Sequence, residues 1–409
     1  MSKRYLVDSV LVVLVVLVLT TCSFPQRDQV WSKNDDIDGI VIHVDALEKD
    51  RTGLRASKMF NPPQMIILEK KDESIIGQVD DLQVFDGHIY VLDSRQAVAL
   101  YVFDFDGNFV RKIGTRGRGP GEYARLSDFT IDTQKKEIYI ADGVRLHRYT
   151  TEGTFLSSVN MEISNANVYA IQFFEDAIYA ATTPFSQDDD AYLLSKIDPN
   201  NGKRISGFFK SSQYIKSSNW NLNISYESKP FYARIHGVPK FMHILMTSIT
   251  PLDPMFPPIT LNSRHLITEQ DINETLRQPE IFSQIEYLST LQRIFHINTF
   301  VESSNFKFFN YGRGNGLYGT LVLNLNDREV FHYSLLINDI LWINPAMLMN
   351  IRFFDNLGVY EIIDVMMLDM FLKNIDNMAL DAEKKDKLRG LNEESNPVIF
   401  FYDFKDVVE

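Results

Sequence analysis

The chain has 409 residues, of which 45% are hydrophobic and 12% aromatic. This composition supports a large buried core and excludes an intrinsically disordered protein. The net charge of -13 disfavours nucleic acid as a partner, because phosphates repel an acidic surface. The single cysteine excludes an intrachain disulfide and a cysteine zinc cluster, and we expect no cofactor.

The first residues have the layout of an export signal. Lys3 and Arg4 form a basic start, and an uninterrupted apolar stretch runs from Val10 to Leu19 before Cys22. That stretch is about half of the ~20 residues that a membrane-spanning helix needs. We therefore predict that residues 1–21 are a signal peptide.

The residues around the cysteine are similar to a known processing site. Leu19, Thr20, Thr21 and Cys22 resemble the bacterial lipobox. The resemblance implies that Cys22 carries lipid and anchors the protein in the cell envelope, with the outer membrane as the expected site. An ordinary secreted protein, cut near Cys22, is the alternative. Residues 22–60 are then a lipid-anchored tether and N-terminal segment, and residues 61–409 the folded domain.

After the tether, short alternating apolar segments separated by turn residues predict an all-β protein. Three stretches share the order strand, polar turn, strand with an Ile-Tyr pair, and their tyrosines are Tyr90, Tyr139 and Tyr179. The successive spacings of 49 and 40 residues are typical of four-stranded propeller blades. The Asp106-Gly107 pair between aromatic segments further predicts a hairpin.

The repeat weakens after about residue 216, although strand-like segments continue. The length from about residue 65 to 405 fits a β-propeller of six or seven four-stranded blades, and we predict six. Residues 366–391 have helix-forming composition and predict a helical insertion near the C-terminus. To close the ring and remove an exposed sheet edge, we predict that residues 66–68 pair with residues 398–402.

Residues 62–160 and 396–405 resemble the six-bladed β-propeller lipoproteins of Bacteroides-type bacteria. Single blades also resemble NHL-type and TolB-like repeats, on the segments Tyr90–Asp93 and Asp104–Gly107. The resemblance implies a propeller fold and a cell-envelope location. It implies no reaction, because propellers serve both binding and catalysis.

The most prominent local motif is GTRGRGPGEY, residues 114–123. A phosphate-binding loop is disfavoured, because Pro120 has no N–H and no P-loop lysine follows. An interblade connection is the simplest interpretation. The alternative is a ligand loop that uses Arg116, Arg118 and Glu122.

Other motifs do not predict a catalytic or metal site. The segment from Asp104 lacks the glycine and glutamate of a calcium loop, and Asp188, Asp189 and Asp190 are typical of a solvated loop. His243 and His296 lie in strand-like segments without a nearby partner at metal-ligand spacing. We predict no catalytic and no metal-binding residues from these patterns.

Three functions remain open. The first is a noncatalytic binding or interaction module for a protein, peptide or glycan, and we favour it. The second is a propeller enzyme of lactonase or lyase type, with a metal held at the central channel by residues from several blades. The third is a structural component of an outer-membrane complex.

Overall fold

The computed structural model describes residues 31–34, 39–163, 166–184, 190–214, 230–232, 235, 237–243, 246–313, 317–326, 329–342, 347–348, 353–354 and 357–405. The predicted signal peptide and Cys22 lie outside the described residues. No helix in the described part of the chain is both long enough and apolar enough to span a bilayer.

The fold is a six-bladed β-propeller with four-stranded blades, as predicted. Blades 1 to 3 are formed by consecutive antiparallel strands. Blade 1 contains β6 to β9, blade 2 contains β12 to β15 and blade 3 contains β16 to β19. Their bounds are β6 Asp81–Phe85, β7 His88–Asp93, β8 Ala99–Asp104, β9 Phe109–Ile113, β12 Asp128–Asp132, β13 Glu137–Asp142, β14 Arg145–Thr150, β15 Phe155–Asn160, β16 Ala166–Phe174, β17 Ala177–Pro184, β18 Tyr192–Ile197 and β19 Arg204–Lys210.

Blade 4 contains β20 to β23 and blade 5 contains β24 to β27. Blade 6 combines β30 to β32 with β5 from the N-terminal part of the chain. Two short strands, β28 and β29, form a small additional sheet. The bounds are β20 Phe231–Tyr232, β21 Lys240–Phe241, β22 Ser248–Pro251, β23 Ile259–Asn262, β24 Ile294–Glu302, β25 Phe306–Arg313, β26 Leu317–Asn324, β27 Val330–Tyr333, β28 Leu336–Asn338, β29 Met347–Leu348, β30 Phe353–Phe354, β31 Gly358–Ile363 and β32 Val398–Asp403.

The N-terminal strands attach to the outer edges of later blades. Strand β2 pairs in parallel with β23 of blade 4, β3 with β27 of blade 5, and β4 with β28. The N-terminal segment therefore covers sheet edges that would otherwise offer unpaired backbone groups. The bounds are β1 Trp31–Asn34, β2 Gly39–His43, β3 Lys49–Asp50, β4 Leu54–Arg55 and β5 Gln64–Ile67.

The ring closes as the sequence predicts. Strand β5 pairs antiparallel with β32, with Ile66 opposite Ile399 and Ile67 opposite Val398. Because β5 precedes blade 1 and β32 ends blade 6, this pairing joins the two ends of the chain in one blade.

Three of the described α-helices lie between blades, and two lie within blade 6. The predicted C-terminal insertion is confirmed by two helices between β31 and β32, whereas the pair between blades 4 and 5 was not predicted. The bounds are α1 Ser211–Tyr214, α2 Glu269–Leu276, α3 Ile281–Thr290, α4 Val365–Lys373 and α5 Ala382–Arg389.

Two of the repeated tyrosines, Tyr90 and Tyr139, pack between neighbouring blades. Tyr90 on β7 faces Phe129 on the inner strand of blade 2, with ring centroids 6.5 Å apart. Tyr139 on β13 stacks on Phe173 of blade 3 at 5.4 Å. Both tyrosines are almost fully buried. The sequence repeat therefore reflects a repeated contact between blades, in which a large aromatic ring fills the space between two twisted sheets.

Candidate functional site

The glycine- and arginine-rich motif connects blade 1 to blade 2 and is ordered by its own backbone. We call residues 114–125 the arginine loop. Within it, the short strands β10 (Thr115–Arg116) and β11 (Glu122–Tyr123) pair in parallel. The Gly117 N–H also donates to the carbonyl of Tyr123 at 3.0 Å. The loop is therefore a closed turn rather than an open connection.

Buried tyrosines fix the loop to the blades on both sides of it. The Tyr149 hydroxyl donates to the Gly121 carbonyl at 3.0 Å, and the Tyr123 hydroxyl donates to the Ile113 carbonyl at 3.2 Å. Burial raises the pKa of Tyr149 to about 12, so this hydroxyl keeps its proton and remains a donor.

The carboxylate of Asp142, at the end of β13, fixes the last residues of the loop. It accepts hydrogen bonds from the Ala124 and Arg125 N–H groups, both at 2.9 Å. Asp93 has the same place in blade 1, where its carboxylate accepts from the Gly77 and Gln78 N–H groups. In both blades, an aspartate at the end of the second strand thus holds the segment that leads into the first strand.

Gly121 in the loop requires glycine. Its φ is +74°, and a Cβ there would lie 2.8 Å from the ring of Phe155. A Cβ on Gly117 would meet the carboxylate of Glu122, so a larger residue there would displace the Glu122 side chain from its hydrogen bond.

The three residues predicted for a ligand loop have different environments. Arg116 and Arg118 are exposed. Glu122 is half-buried, and its Oε2 accepts from the Gly119 N–H at 2.8 Å. Glu122 thus holds the turn from inside, whereas the two guanidinium groups point outward.

The structure places two further arginines, Arg125 and Arg145, beside the turn that follows β13, where the arginine loop ends. The Arg125 side chain lies beside Gly143, because its Nη2 is 3.0 Å from the place that a Cβ on this glycine would take. Arg145 follows Gly143 by two residues. Arg116 on β10 is the strand-pairing partner of Tyr123 on β11, and Arg125 follows Tyr123 by two residues. We call Arg116, Arg118, Arg125 and Arg145 the arginine surface.

The members of the arginine surface differ from most other arginines of the protein. All four are exposed, and none forms an ion pair with a residue that the structure describes. Most of the other described arginines pair with a carboxylate: Arg55, Arg95, Arg111, Arg148, Arg204, Arg277, Arg293 and Arg389. Within the described residues of this acidic chain, these four exposed cations therefore have no carboxylate partner.

A buried histidine lies beside the arginine surface. His147 on β14 shares a 2.7 Å hydrogen bond between Nδ1 and the hydroxyl of Ser158. Its Nε2 lies 3.7 Å from Asp142 Oδ2, beyond hydrogen-bond distance. Burial lowers the pKa of His147, so the ring is neutral near pH 7. A Ser-His-Asp relay needs hydrogen bonds at both ring nitrogens, and this set has one.

The remaining predicted positions have structural roles or lie outside the described residues. Asp104 accepts from the Asp106 and Asn108 N–H groups, as expected for a hairpin turn. Asp190 pairs with Arg204, while Asp188 and Asp189 are outside the described residues. His243 is buried, and burial lowers its pKa to about 4. Within the described ranges, no three His, Cys, Asp or Glu side chains are grouped so that they could hold a metal.

Comparison with known proteins gives a family and a fold. The model of the family described as a domain of unknown function, DUF4934, matches residues 39–403. No curated protein matches the chain. A Bacteroides fragilis NCTC 9343 structure, named as a presumed exported protein, is similar with a TM-score of 0.66 and 18% identity, over 88% of this chain and 99% of that one.

A second structure supports the same fold. A member of the DUF4221 family from Bacteroides vulgatus ATCC 8482 is similar with a TM-score of 0.51 and 13% identity, over 85% of this chain and 98% of that one. At these identities the likeness concerns the fold alone.

Proposed function

This chain belongs to the DUF4934 family, a domain of unknown function, and we propose a function from its own residues. In this proposal the protein is an exported, lipid-anchored module of the cell envelope. Its arginine surface binds a protein, peptide or glycan, and the propeller serves as a rigid support without catalysing a reaction.

Two features support export and anchoring. The N-terminal residues have the order of a signal peptide, and Cys22 follows a lipobox-like sequence. The similar B. fragilis structure is named as a presumed exported protein. Several acyl chains on one cysteine would hold the protein stably at a membrane.

Anchoring can be tested in a Bacteroides host that expresses the full chain. We expect the wild-type protein in the membrane fraction and a Cys22→Ser variant in the soluble fraction. A Cys22→Ser variant that still partitions with membranes and is processed like the wild type would refute lipid attachment.

The observation that carries the binding proposal is the arginine surface. Four other exposed arginines in the described part of the chain, Arg55, Arg95, Arg277 and Arg389, pair with a carboxylate, whereas the four of the arginine surface do not. The arginine loop is also held by its own hydrogen bonds and by buried tyrosines, so little conformational entropy is lost when it contacts a ligand. Ligand sites are commonly found on such loops supported by a rigid scaffold.

Binding can be tested on an array of immobilised polysaccharides and peptides. We expect the wild-type chain to bind some members, and an Arg116→Gln/Arg118→Gln variant to lose about tenfold in apparent affinity on them. The matched control is Arg51→Gln/Lys58→Gln, which removes two exposed positive charges that form no ion pair among the described residues. If the loop variant keeps the wild-type binding pattern, the loop is not the site.

A further inference from the structure

We propose that the ligand of the arginine surface is a polysaccharide whose sugars carry carboxylate groups. This inference rests on the proposed binding function and specifies the ligand's chemistry. It combines the distribution of the four arginines with the neutral side chains that the adjacent outer strand of blade 2 presents.

The positions of the arginines favour a ligand with repeated negative charges. Arg116 and Arg118 lie in the first half of the arginine loop, whereas Arg125 at its end and Arg145 flank the turn that follows β13. Strand β11 lies between Arg118 and Arg125 in the chain. A ligand chain with a negative charge on successive units can contact both pairs. Arginine binds carboxylates through two parallel hydrogen bonds, which favours planar acid groups.

The outer strand of blade 2 supplies groups suited to sugar rings. Phe155 is 36% exposed and packs against Gly121 of the arginine loop. Ser158 and Asn160 are exposed on the same strand, and Asn160 is paired with Arg145. An exposed aromatic ring offers an apolar face to a sugar, and the hydroxyl and amide groups can hydrogen-bond to sugar hydroxyls. A ligand recognised by charge alone would not need these groups.

The carboxylates nearby are held by backbone groups and not by the arginine surface. Glu122 accepts from the Gly119 N–H, and both Asp142 oxygens accept backbone N–H groups, so each carboxylate keeps its negative charge. His147 is neutral, because burial lowers its pKa and Arg145 adds to the effect. No carboxylate in the described residues forms an ion pair with the four guanidinium groups, so their N–H donors are open to an external polyanion.

The test is titration of the mature chain with three polymers of defined chemistry: polygalacturonate, poly-L-glutamate and neutral dextran. We expect binding to polygalacturonate that weakens as NaCl rises from about 0.05 M to about 0.5 M, because salt screens exposed charges. We expect binding to poly-L-glutamate to be about tenfold weaker, and no binding to dextran.

Variants separate charge from sugar recognition. Arg125→Gln/Arg145→Gln should weaken polygalacturonate binding about tenfold, and Phe155→Ala about fivefold, with Arg51→Gln/Lys58→Gln as the control. Equal binding of poly-L-glutamate and polygalacturonate, with no effect of Phe155→Ala, would overturn the sugar assignment.

Two further outcomes distinguish this inference from the function on which it rests. If neither polyanion binds, but a neutral member of the array binds in a manner that Arg116→Gln/Arg118→Gln abolishes, the acidic-polysaccharide inference fails and the binding function stands. If no polymer or array member depends on the arginine surface, both fail.

Discussion

At the scale of single residues, the site depends on carboxylates that organise backbone rather than bind ligand. Asp142 is the clearest case, because its two oxygens hold the Ala124 and Arg125 N–H groups. Glu122 does the same for Gly119 within the turn. These contacts leave the arginines as the outward-facing charged groups of the arginine loop.

We expect Asp142→Ala to destabilise the protein by about 2 kcal/mol, because two backbone donors lose a charged acceptor. The variant should also bind more weakly to any ligand whose affinity depends on Arg125. Thermal or urea unfolding measures the first effect, and Asp106→Ala, an exposed turn residue, is the control. Equal stability of the Asp142→Ala variant and the wild type would show that this carboxylate does not hold the loop.

Part of the site could be predicted from sequence and part could not. The motif at residues 114–123 indicates Arg116 and Arg118, because glycines on both sides mark an exposed turn. Arg125 and Arg145 are 20 residues apart, and they come together because Asp142 accepts the Arg125 N–H and is paired with Arg145 in the β13–β14 hairpin. Glu122 appears in the motif as a ligand candidate, and its inward orientation depends on the parallel pairing of β10 and β11.

At the scale of elements, the first three blades follow from the sequence because each repeats the same pattern. Strands β7, β13 and β17 carry the repeated tyrosines, and tight turns join their neighbours. Helices α2 and α3 between blades 4 and 5 were not predicted. They are eight and ten residues long, so their periodicity is brief among strand-like segments.

The closing blade gives an element-scale prediction. Deleting residues 396–409 removes β32, which lies between β31 and β5 and buries Ile399 and Phe400 completely. We expect the truncated chain to lose its cooperative unfolding transition, because both neighbouring strands lose their partner. Circular dichroism during heating provides the measurement. A truncated chain with the wild-type melting temperature would refute the closure.

At the scale of the whole molecule, the propeller keeps neutral histidines in its interior. Burial lowers the pKa of both His243 and His332 to about 4. An unfolded chain would protonate them near pH 6.5. The unfolded state therefore binds more protons between these values.

Stability should consequently fall as the pH decreases from about 6.5 to about 4. Each histidine contributes about 3 kcal/mol over that range, fully present above the unfolded pKa and lost as pH approaches the folded value. Urea unfolding at several pH values measures the slope, and His332→Gln should reduce it. If His332→Gln leaves the slope unchanged, this histidine does not cause the pH dependence of stability.

The family and the fold are consistent with many functions, so the assignment depends on the arginine surface. The NHL-type and TolB-like likeness of single blades, the lipid anchor and the outer-membrane location stay predictions. The absence of catalysis is also still a prediction. The lactonase or lyase alternative can be checked by measuring whether the purified protein binds a divalent metal.

The most direct test of a ligand site at blade 2 is a crystal structure of the mature chain with an oligosaccharide that it binds on the array. We predict the ligand against Arg116, Arg118, Arg125 and Arg145, with a sugar ring near Phe155. A ligand seated in the central channel, with the arginine surface empty, would contradict this account.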